Sequence, residues 1–175
     1  MSDAFTPDDA FGLLRSYSRH RDFVRLALLT VIHALERRAL EHDASKMLDD
    51  EFAGFARINA VARVNKFGTP EYKKAMQQER TTVDLHFSRN RHHPEHASLN
   101  LKGSEVTEYE LGLRGMSFLD VIEMVCDWWG ARKGYDDNRM TWPESVKMNL
   151  ESKGKYLTPG QRWLVQEVAA MLEAL

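Results

Sequence analysis

The chain has 175 residues, 43% of them hydrophobic, which is enough apolar material for one domain with its own core. Its formal net charge of -2, with acidic and basic residues interspersed, offers no general attraction to nucleic acid or to an anionic membrane. A single cysteine excludes an intrachain disulfide, and the absence of a signal-peptide core or of an apolar run near 20 residues predicts a cytoplasmic protein.

Helical periodicity dominates the N-terminal half. Apolar residues recur at three- and four-residue intervals between Val24 and Leu35 and predict a first helix over residues 22–40, preceded by a poorly ordered arm over residues 1–20. Acidic residues at its start predict a second helix over residues 49–65. The inward-facing residues of that helix are predicted to be Phe52, Phe55 and either Ile58 or Asn59.

The remaining helices are predicted from their capping residues. Thr69 before Pro70 opens a third helix to about residue 91, and the following Pro94 predicts a turn and then a loop over residues 97–115 with one short turn near residues 107–111. Ser117 opens a helix to about residue 133, and prolines begin two more at residues 143 and 159. The apolar stripe of the residue 118–133 helix is predicted to comprise Leu119, Ile122, Cys126 and Trp129, with the thiol buried. These patterns predict an all-α, single-domain bundle of about six helices over residues 1–175.

Residue types that ligate metals concentrate in three segments. The first is the His42-Asp43 pair, and the second holds four histidines within eleven residues, from His86 to His96. The third is a helix that carries Asp120, Glu123 and Asp127. Imidazole nitrogens and carboxylate oxygens from distant segments suit a first-row divalent cation. A single His-Asp pair is more often a helix end, and an acidic row is more often a solvated face, but their combination predicts a metal site. Its expected ligands are His42, Asp43, His86, His93 and Asp127.

The string His42-Asp43-Ala44-Ser45-Lys46, with further histidines and a late aspartate in a helical chain, resembles the HD-domain superfamily of metal-dependent phosphohydrolases. More closely, the ordered motifs of residues 20–156 resemble an uncharacterised family found in phage and bacterial genomes. Those motifs are His20 with Val24, Arg38-Ala39, His42-Asp43 with Ser45-Lys46, Gly68 with Glu71-Tyr72-Lys73, Asn90-Arg91-His92-His93-Pro94-Glu95-His96, and Asp120 with Glu123-Met124 and Cys126-Asp127-Trp128.

This resemblance implies an HD-domain-like fold and adds His20 as a metal ligand. The chain departs from the family pattern at Leu85, where a second histidine is common, and after the tryptophan, where it has Arg132-Lys133-Gly134-Tyr135. One metal is therefore better supported than two. An unbroken helix would also place His20 about 33 Å from His42, at 1.5 Å of rise per residue.

The leading hypothesis is a metal-dependent phosphohydrolase that acts on a nucleotide or another small phosphoester. The divalent ion would be Mn, Fe, Co, Ni, Zn or Mg. Catalytic roles are predicted for His86, His92 and Glu123, and substrate contacts for Lys46, Asn90 and Arg91, with Lys73 as a weaker candidate. The alternative is a non-catalytic helical binding protein with a structural metal site or a buried polar network, in which tryptophans supply a partner surface. Both hypotheses leave a homo-oligomer open.

Overall fold

The computed structural model describes residues 6–65, 68–100, 115–134 and 140–175. Every regular element in these ranges is a helix, and they contain no strand, so the all-α prediction is confirmed. The chain divides into two compact units, Met1–His42 and Asp43–Leu175. Within the described ranges, no helix combines the length and the apolar composition needed to cross a membrane.

The first unit contains one long helix, α1, over Pro7–Glu41. Thr6 caps it, because its hydroxyl accepts from the Asp9 backbone while the Asp9 carboxylate accepts from the Thr6 backbone, and Pro7 occupies the first turn. The helix starts earlier than residue 22, so residues 7–20 are helical rather than a poorly ordered arm. None of its residues is buried.

The second unit opens with a 3₁₀ turn over Ala44–Met47 and helix α2 over Asp49–Ala62. The inward face of α2 carries Glu51, Gly54 and Ile58, whereas Phe52 is 53% exposed, so the prediction that Phe52 faces inward is wrong. A Cβ atom on Gly54 would lie 2.3 Å from the Thr82 hydroxyl oxygen. Glycine therefore permits the close approach of α2 to the segment that carries Thr82.

Helix α3 over Pro70–Gln78, helix α4 over Arg80–Arg89 and helix α5 over Glu95–Asn100 follow. The single third helix predicted for this region is wrong, because the backbone leaves helical geometry at Glu79 (φ -97°, ψ 26°). The turn predicted for residues 92–96 lies at residues 90–94, and residues 95 and 96 already belong to α5. The predicted loop is wrong for residues 97–100, which belong to α5, and its remainder over residues 101–114, with the short turn near 107–111, lies outside the described residues.

Helices α6 over Phe118–Gly134, α7 over Trp142–Lys153 and α8 over Pro159–Glu173 enclose the apolar core, and a 3₁₀ turn over Gly154–Tyr156 joins the last two. The buried core residues are Met116, Val121, Met124, Val125, Trp142, Val146, Leu157, Val165, Val168 and Ala169.

The start of α6 agrees with the predicted capping box, because Ser117 and Asp120 exchange backbone-to-side-chain hydrogen bonds of 2.6 and 3.2 Å. Its predicted apolar stripe is right in part, since Ile122 and Trp129 pack half-buried against the core. The fully buried residues are Val121, Met124 and Val125, and the prediction of a buried Cys126 thiol is wrong because that residue is exposed. Glu123 and Asp127 lie on another side of α6, beside the segments that carry His92 and His93.

Candidate metal centre

Four side chains of the second unit converge on one point, which we call the metal-centre cluster: Asp43, His86, His92 and His93. The Asp43 Oδ1 atom lies 3.2 Å from His86 Nε2, 3.4 Å from His92 Nε2 and 4.0 Å from His93 Nε2. The Nε2 atoms of His86 and His93 are 2.9 Å apart. The end of α4 supplies His86, and the turn that Pro94 imposes supplies the two other histidines. Residues far apart in sequence thus meet as predicted.

The backbone at Asp43 is in the left-handed region, with φ 55° and ψ 15°. It is the only residue other than glycine with positive φ in the described ranges. Aspartate tolerates this conformation better than most residues. The reversal lets the chain leave α1 at His42, its C-cap residue, and turn at once into the 3₁₀ segment, where Lys46 donates to the Asp43 carboxylate.

Two buried or half-buried carboxylates stand behind the histidines. His86 Nδ1 lies 2.9 Å from Oε2 of Glu51, which is fully buried, and His92 Nδ1 lies 3.1 Å from Oε1 of Glu123. An ionised carboxylate can only accept a hydrogen bond, so each imidazole presents an Nδ1 proton to it and turns its Nε2 atom toward Asp43. There Nε2 carries either a proton that it donates to Asp43 or, with a cation bound, the lone pair that holds the cation. The carboxylate-imidazole-metal arrangement of metalloproteins has this same polarity.

The donor spacing fits a cation. Four ligands about 2.1 Å from a tetrahedral ion would lie roughly 3.4 Å from one another, and the donor distances given above scatter around that value. Within the second unit, two overlapping groups each have their donor atoms within 4.8 Å of one another: Asp43 with His86 and His93, and Asp127 with His92 and His93. One carboxylate oxygen and several imidazole nitrogens are a donor set suited to a first-row divalent ion.

The pKa values of the cluster follow from burial and these contacts. Burial disfavours the charged Asp43 carboxylate, but hydrogen bonds from His86 and His92 and the charge of Lys46 outweigh it and hold the pKa of Asp43 far below its ordinary value. Burial lowers the pKa of His92, while its hydrogen bonds with Asp43 and Glu123 prevail and raise it. Burial and the neighbouring imidazoles lower the pKa of His93 to about 2. His93 is therefore neutral, with a lone pair for a cation.

Glu51 was not identified from the sequence, although it organises the cluster. Its carboxylate accepts from the Ser45 hydroxyl at 2.9 Å and from Arg89 Nη1 at 2.8 Å, in addition to facing His86. The available signal was its position on α2: Glu51 shares one helix face with Phe55 and Ile58 through i, i+4 and i+7 spacing. An acidic residue on an otherwise inward face predicts a buried partner.

The predicted substrate contacts have other partners in this structure. Asn90 donates from Nδ2 to the Ser45 hydroxyl at 2.8 Å and to the His86 carbonyl at 2.8 Å, so it braces the cluster. Arg91 contacts Asp120, with Nη2 3.3 Å from Oδ2, and donates to the Gly115 carbonyl at 3.1 Å. Lys46 lines a cavity next to the cluster, whereas Asn90 and Arg91 do not. The weaker candidate Lys73 is exposed.

Two of the predicted ligands belong to the first unit: His20 lies within α1, and His42 is its C-cap residue. His20 is exposed in the middle of that unbroken helix, about 33 Å from His42 at 1.5 Å per residue, so the two histidines cannot bind the same ion. His42 directly precedes Asp43 and ends the first unit. His96 turns away from the cluster, with Nδ1 3.0 Å from the Phe87 carbonyl oxygen.

A cavity of about 920 Å³ adjoins the cluster. Asp43, His86, His93 and Asp127 form part of its wall, whereas Glu123 lies behind His92 and is not among the lining residues. The position of Glu123 is that of a residue that orients an imidazole. The cluster therefore has one side braced by carboxylates and another open to a space large enough for a small molecule.

The model of the DUF5662 family, described as a family of unknown function, matches residues 10–174. The chain therefore belongs to that family, which agrees with the resemblance to an uncharacterised family. The comparisons found no match among curated proteins and none among solved structures.

Proposed function

We propose that this protein is a metal-dependent phosphohydrolase acting on a small phosphoester, with nucleotides in the class to be tested. The observation that carries the proposal is the position of the donor set: Asp43, His86 and His93 belong both to the metal-centre cluster and to the wall of the cavity. A structural ion is usually enclosed by four protein ligands, whereas a catalytic ion keeps a coordination position beside a cleft. The resemblance of the His42-Asp43 motif to the HD-domain superfamily favours the same reaction class.

In this proposal Asp43, His86 and His93 hold the ion from the cavity wall, so that a coordination position beside the cavity stays open, while His92 and Asp127 lie within reach as further donors. Bound there, a divalent cation supplies Lewis acidity for water and for phosphoryl oxygens. Glu51 and Glu123 keep the Nδ1 protons of His86 and His92 in place, so that both Nε2 atoms stay available. Lys46, which lines the cavity and pairs with Asp43, offers a positive charge to the phosphate.

The test starts with protein purified without chelator, whose metal content is measured by elemental analysis. Phosphate release is then measured over a panel of nucleotides and simple phosphoesters with Mn, Mg, Fe, Co, Ni and Zn added singly. Asp43→Asn should abolish metal binding and phosphate release while the protein stays folded, because asparagine tolerates the left-handed backbone but lacks the anionic ligand. Asp49→Asn, at an exposed carboxylate on the first turn of α2, is the matched control.

Bound metal together with phosphate release that needs Asp43 would support the proposal. Bound metal without turnover on any ester would instead support the non-catalytic alternative, a binding protein with a structural ion. If none of the six metals binds, the cluster is neither a catalytic nor a structural metal site.

A further inference from the structure

Resting on the proposed hydrolytic site, we propose that the substrate is a phosphate monoester with an apolar alcohol part, which occupies the cavity while the phosphate faces the metal-centre cluster. The cavity volume of about 920 Å³ is near the upper end of the roughly 300–1,000 Å³ typical of ligand sites. A phosphate group alone would fill only a small part of it. The properties of the remaining wall therefore decide what the rest of the substrate is.

The wall becomes apolar immediately beside the cluster. The Phe55 ring packs edge-on against the His86 ring at a centroid distance of 4.9 Å, and the Phe87 ring lies 4.5 Å from the His93 ring. The first atoms of a substrate beyond its ester oxygen would thus meet aromatic carbon, with Lys46 Nζ 5.0 Å from the Phe55 centroid and Lys153 Nζ 5.9 Å from the Phe87 centroid. Burial of apolar substrate atoms against these rings is favourable because it removes both surfaces from water.

Farther from the cluster, the lining includes several flexible or broad apolar side chains, among them Phe52, Met76, Trp128 and Met148. Methionines are unbranched and polarizable, so they adapt to an alkyl chain or to an aromatic ring. This composition favours ligands with apolar bodies and can accommodate more than one shape of such a body.

Away from the cluster, polar and charged residues are the minority of the wall, and several of them already contact other groups of the protein. Lys153 donates to Glu95, Arg132 donates to the Met140 carbonyl at 2.9 Å, and Asn149 donates to the Ser145 carbonyl at 3.0 Å. A sugar or a nucleobase in this space would place polar atoms against carbon and lose hydrogen bonds to water. The apolar majority of the wall therefore favours an apolar alcohol part over a polar one.

The experiment compares phosphate release from n-alkyl phosphates of two to ten carbons with release from glycerol phosphate and nucleoside monophosphates. We expect kcat/KM to rise with chain length, by up to about fourfold for each fully buried methylene, until the cavity is filled. Ala56→Trp, which introduces a large ring into the cavity wall, should remove most of the gain in kcat/KM that long-chain esters have over ethyl phosphate. Ala60→Trp, one turn along α2 and not among the lining residues, is the control.

A second measurement does not depend on turnover. Anilinonaphthalene sulfonate, a fluorescent probe, is bound to the Asp43→Asn protein and then titrated with decyl phosphate. Decyl phosphate should displace the probe from this protein, and it should displace much less when Ala56→Trp is added to Asp43→Asn. A flat chain-length profile, or preference for the polar esters, would overturn the inference even though phosphate release upheld the proposed reaction. If no ester is hydrolysed, the proposed reaction is wrong. Displacement of the probe by decyl phosphate would then still support an apolar ligand, and a lack of displacement would overturn that inference.

Discussion

The second unit buries two regions by opposite means. In the apolar core, Val121, Val125 and Val165 have no exposed surface and pack among other apolar side chains. In the metal-centre cluster, Glu51 and His86 are as deeply buried, yet their polar atoms lie 2.9 Å apart in a network of defined partners. Burial of apolar surface is favourable in itself, whereas burial of a charge is costly unless a specific partner compensates it.

Helix α6 makes the contrast sharp, because adjacent residues serve different regions. Glu123 contacts His92 of the cluster, while Met124 belongs to the apolar core. The stability of the core depends on how well the side chains fill its volume. The metal affinity expected of the cluster depends on the chemical identity of each residue that contacts a histidine. Substitutions at neighbouring positions should therefore change different measured quantities, one the free energy of unfolding and the other the metal affinity.

The largest expected effect is on the core. Met124→Ala should lower the free energy of unfolding by about 3 kcal/mol, because it leaves a cavity at a side chain that is 1% exposed. Urea unfolding in the presence of chelator measures this change. Met171→Ala, at a 70% exposed position of α8, is the control. Metal affinity of the folded Met124→Ala protein should stay within about threefold of the parent, and a larger loss would contradict the separation of the two regions.

The second prediction concerns the carboxylate behind His86. Glu51→Gln should weaken metal binding by about 10- to 100-fold, because glutamine retains the shape but loses the charge that orients and polarises the imidazole. Competition with a chromogenic chelator measures the affinity. Asp50→Asn is a close control, since Asp50 also accepts two hydrogen bonds from Arg89, at 2.6 and 2.8 Å, without reaching His86. Equal losses in both variants would assign the effect to Arg89 instead.

A smaller effect is expected at the other carboxylate. Glu123→Gln should weaken metal binding by about tenfold or less, because the Glu123 side chain is 14% exposed and water can replace part of its interaction with His92. The same competition assay measures it, with Glu167→Gln on α8 as an exposed control. A loss greater than that of Glu51→Gln would show that depth of burial does not rank the two carboxylates.

The smallest effect is at a helix end beside the core. The Thr141 backbone and then its hydroxyl donate to the Glu144 carboxylate and hold the pKa of Glu144 below its ordinary value. A carboxyl group with a lowered folded-state pKa stabilises the protein at pH above its unfolded value, and this contribution is lost as pH falls through the folded value. The parent protein should therefore be more stable than Glu144→Gln at pH 6. In urea unfolding this difference should shrink as the pH falls below about 4.5, the ordinary value of the carboxyl group, and a difference that stays constant would contradict the ionic origin of the effect.

Local signals in the sequence were sufficient for several helix ends. Ser117, Thr141 and Thr158 cap helices whose starts were predicted within a residue or two, because a capping hydroxyl and a proline act over a single turn. The break at Glu79 had no such signal, since neither glycine nor proline marks it. Apolar residues surround α6 on several sides, so periodicity alone could not choose between Cys126 and Val125 as the buried position.

The sequence was enough to predict which residue types form the candidate centre, but not which side chains are hydrogen-bonded to each other there. Asp43, His86 and His93 were expected to meet because ligand types are concentrated in their segments, and they do lie together. The partners of Glu51 and Arg91 depend on which helices touch, which is tertiary information. A carboxylate looks the same in sequence whether it is solvated, as first-turn acids usually are, or braces a histidine.

The left-handed backbone at Asp43 makes this position informative across related sequences. Glycine and asparagine can keep the reversal of the chain but cannot supply an anionic ligand, whereas β-branched residues would disfavour the reversal itself. Asparagine or glycine there would mark a relative that kept the architecture after losing the ion. Valine or isoleucine would mark one in which the connection after the long first helix had been rebuilt.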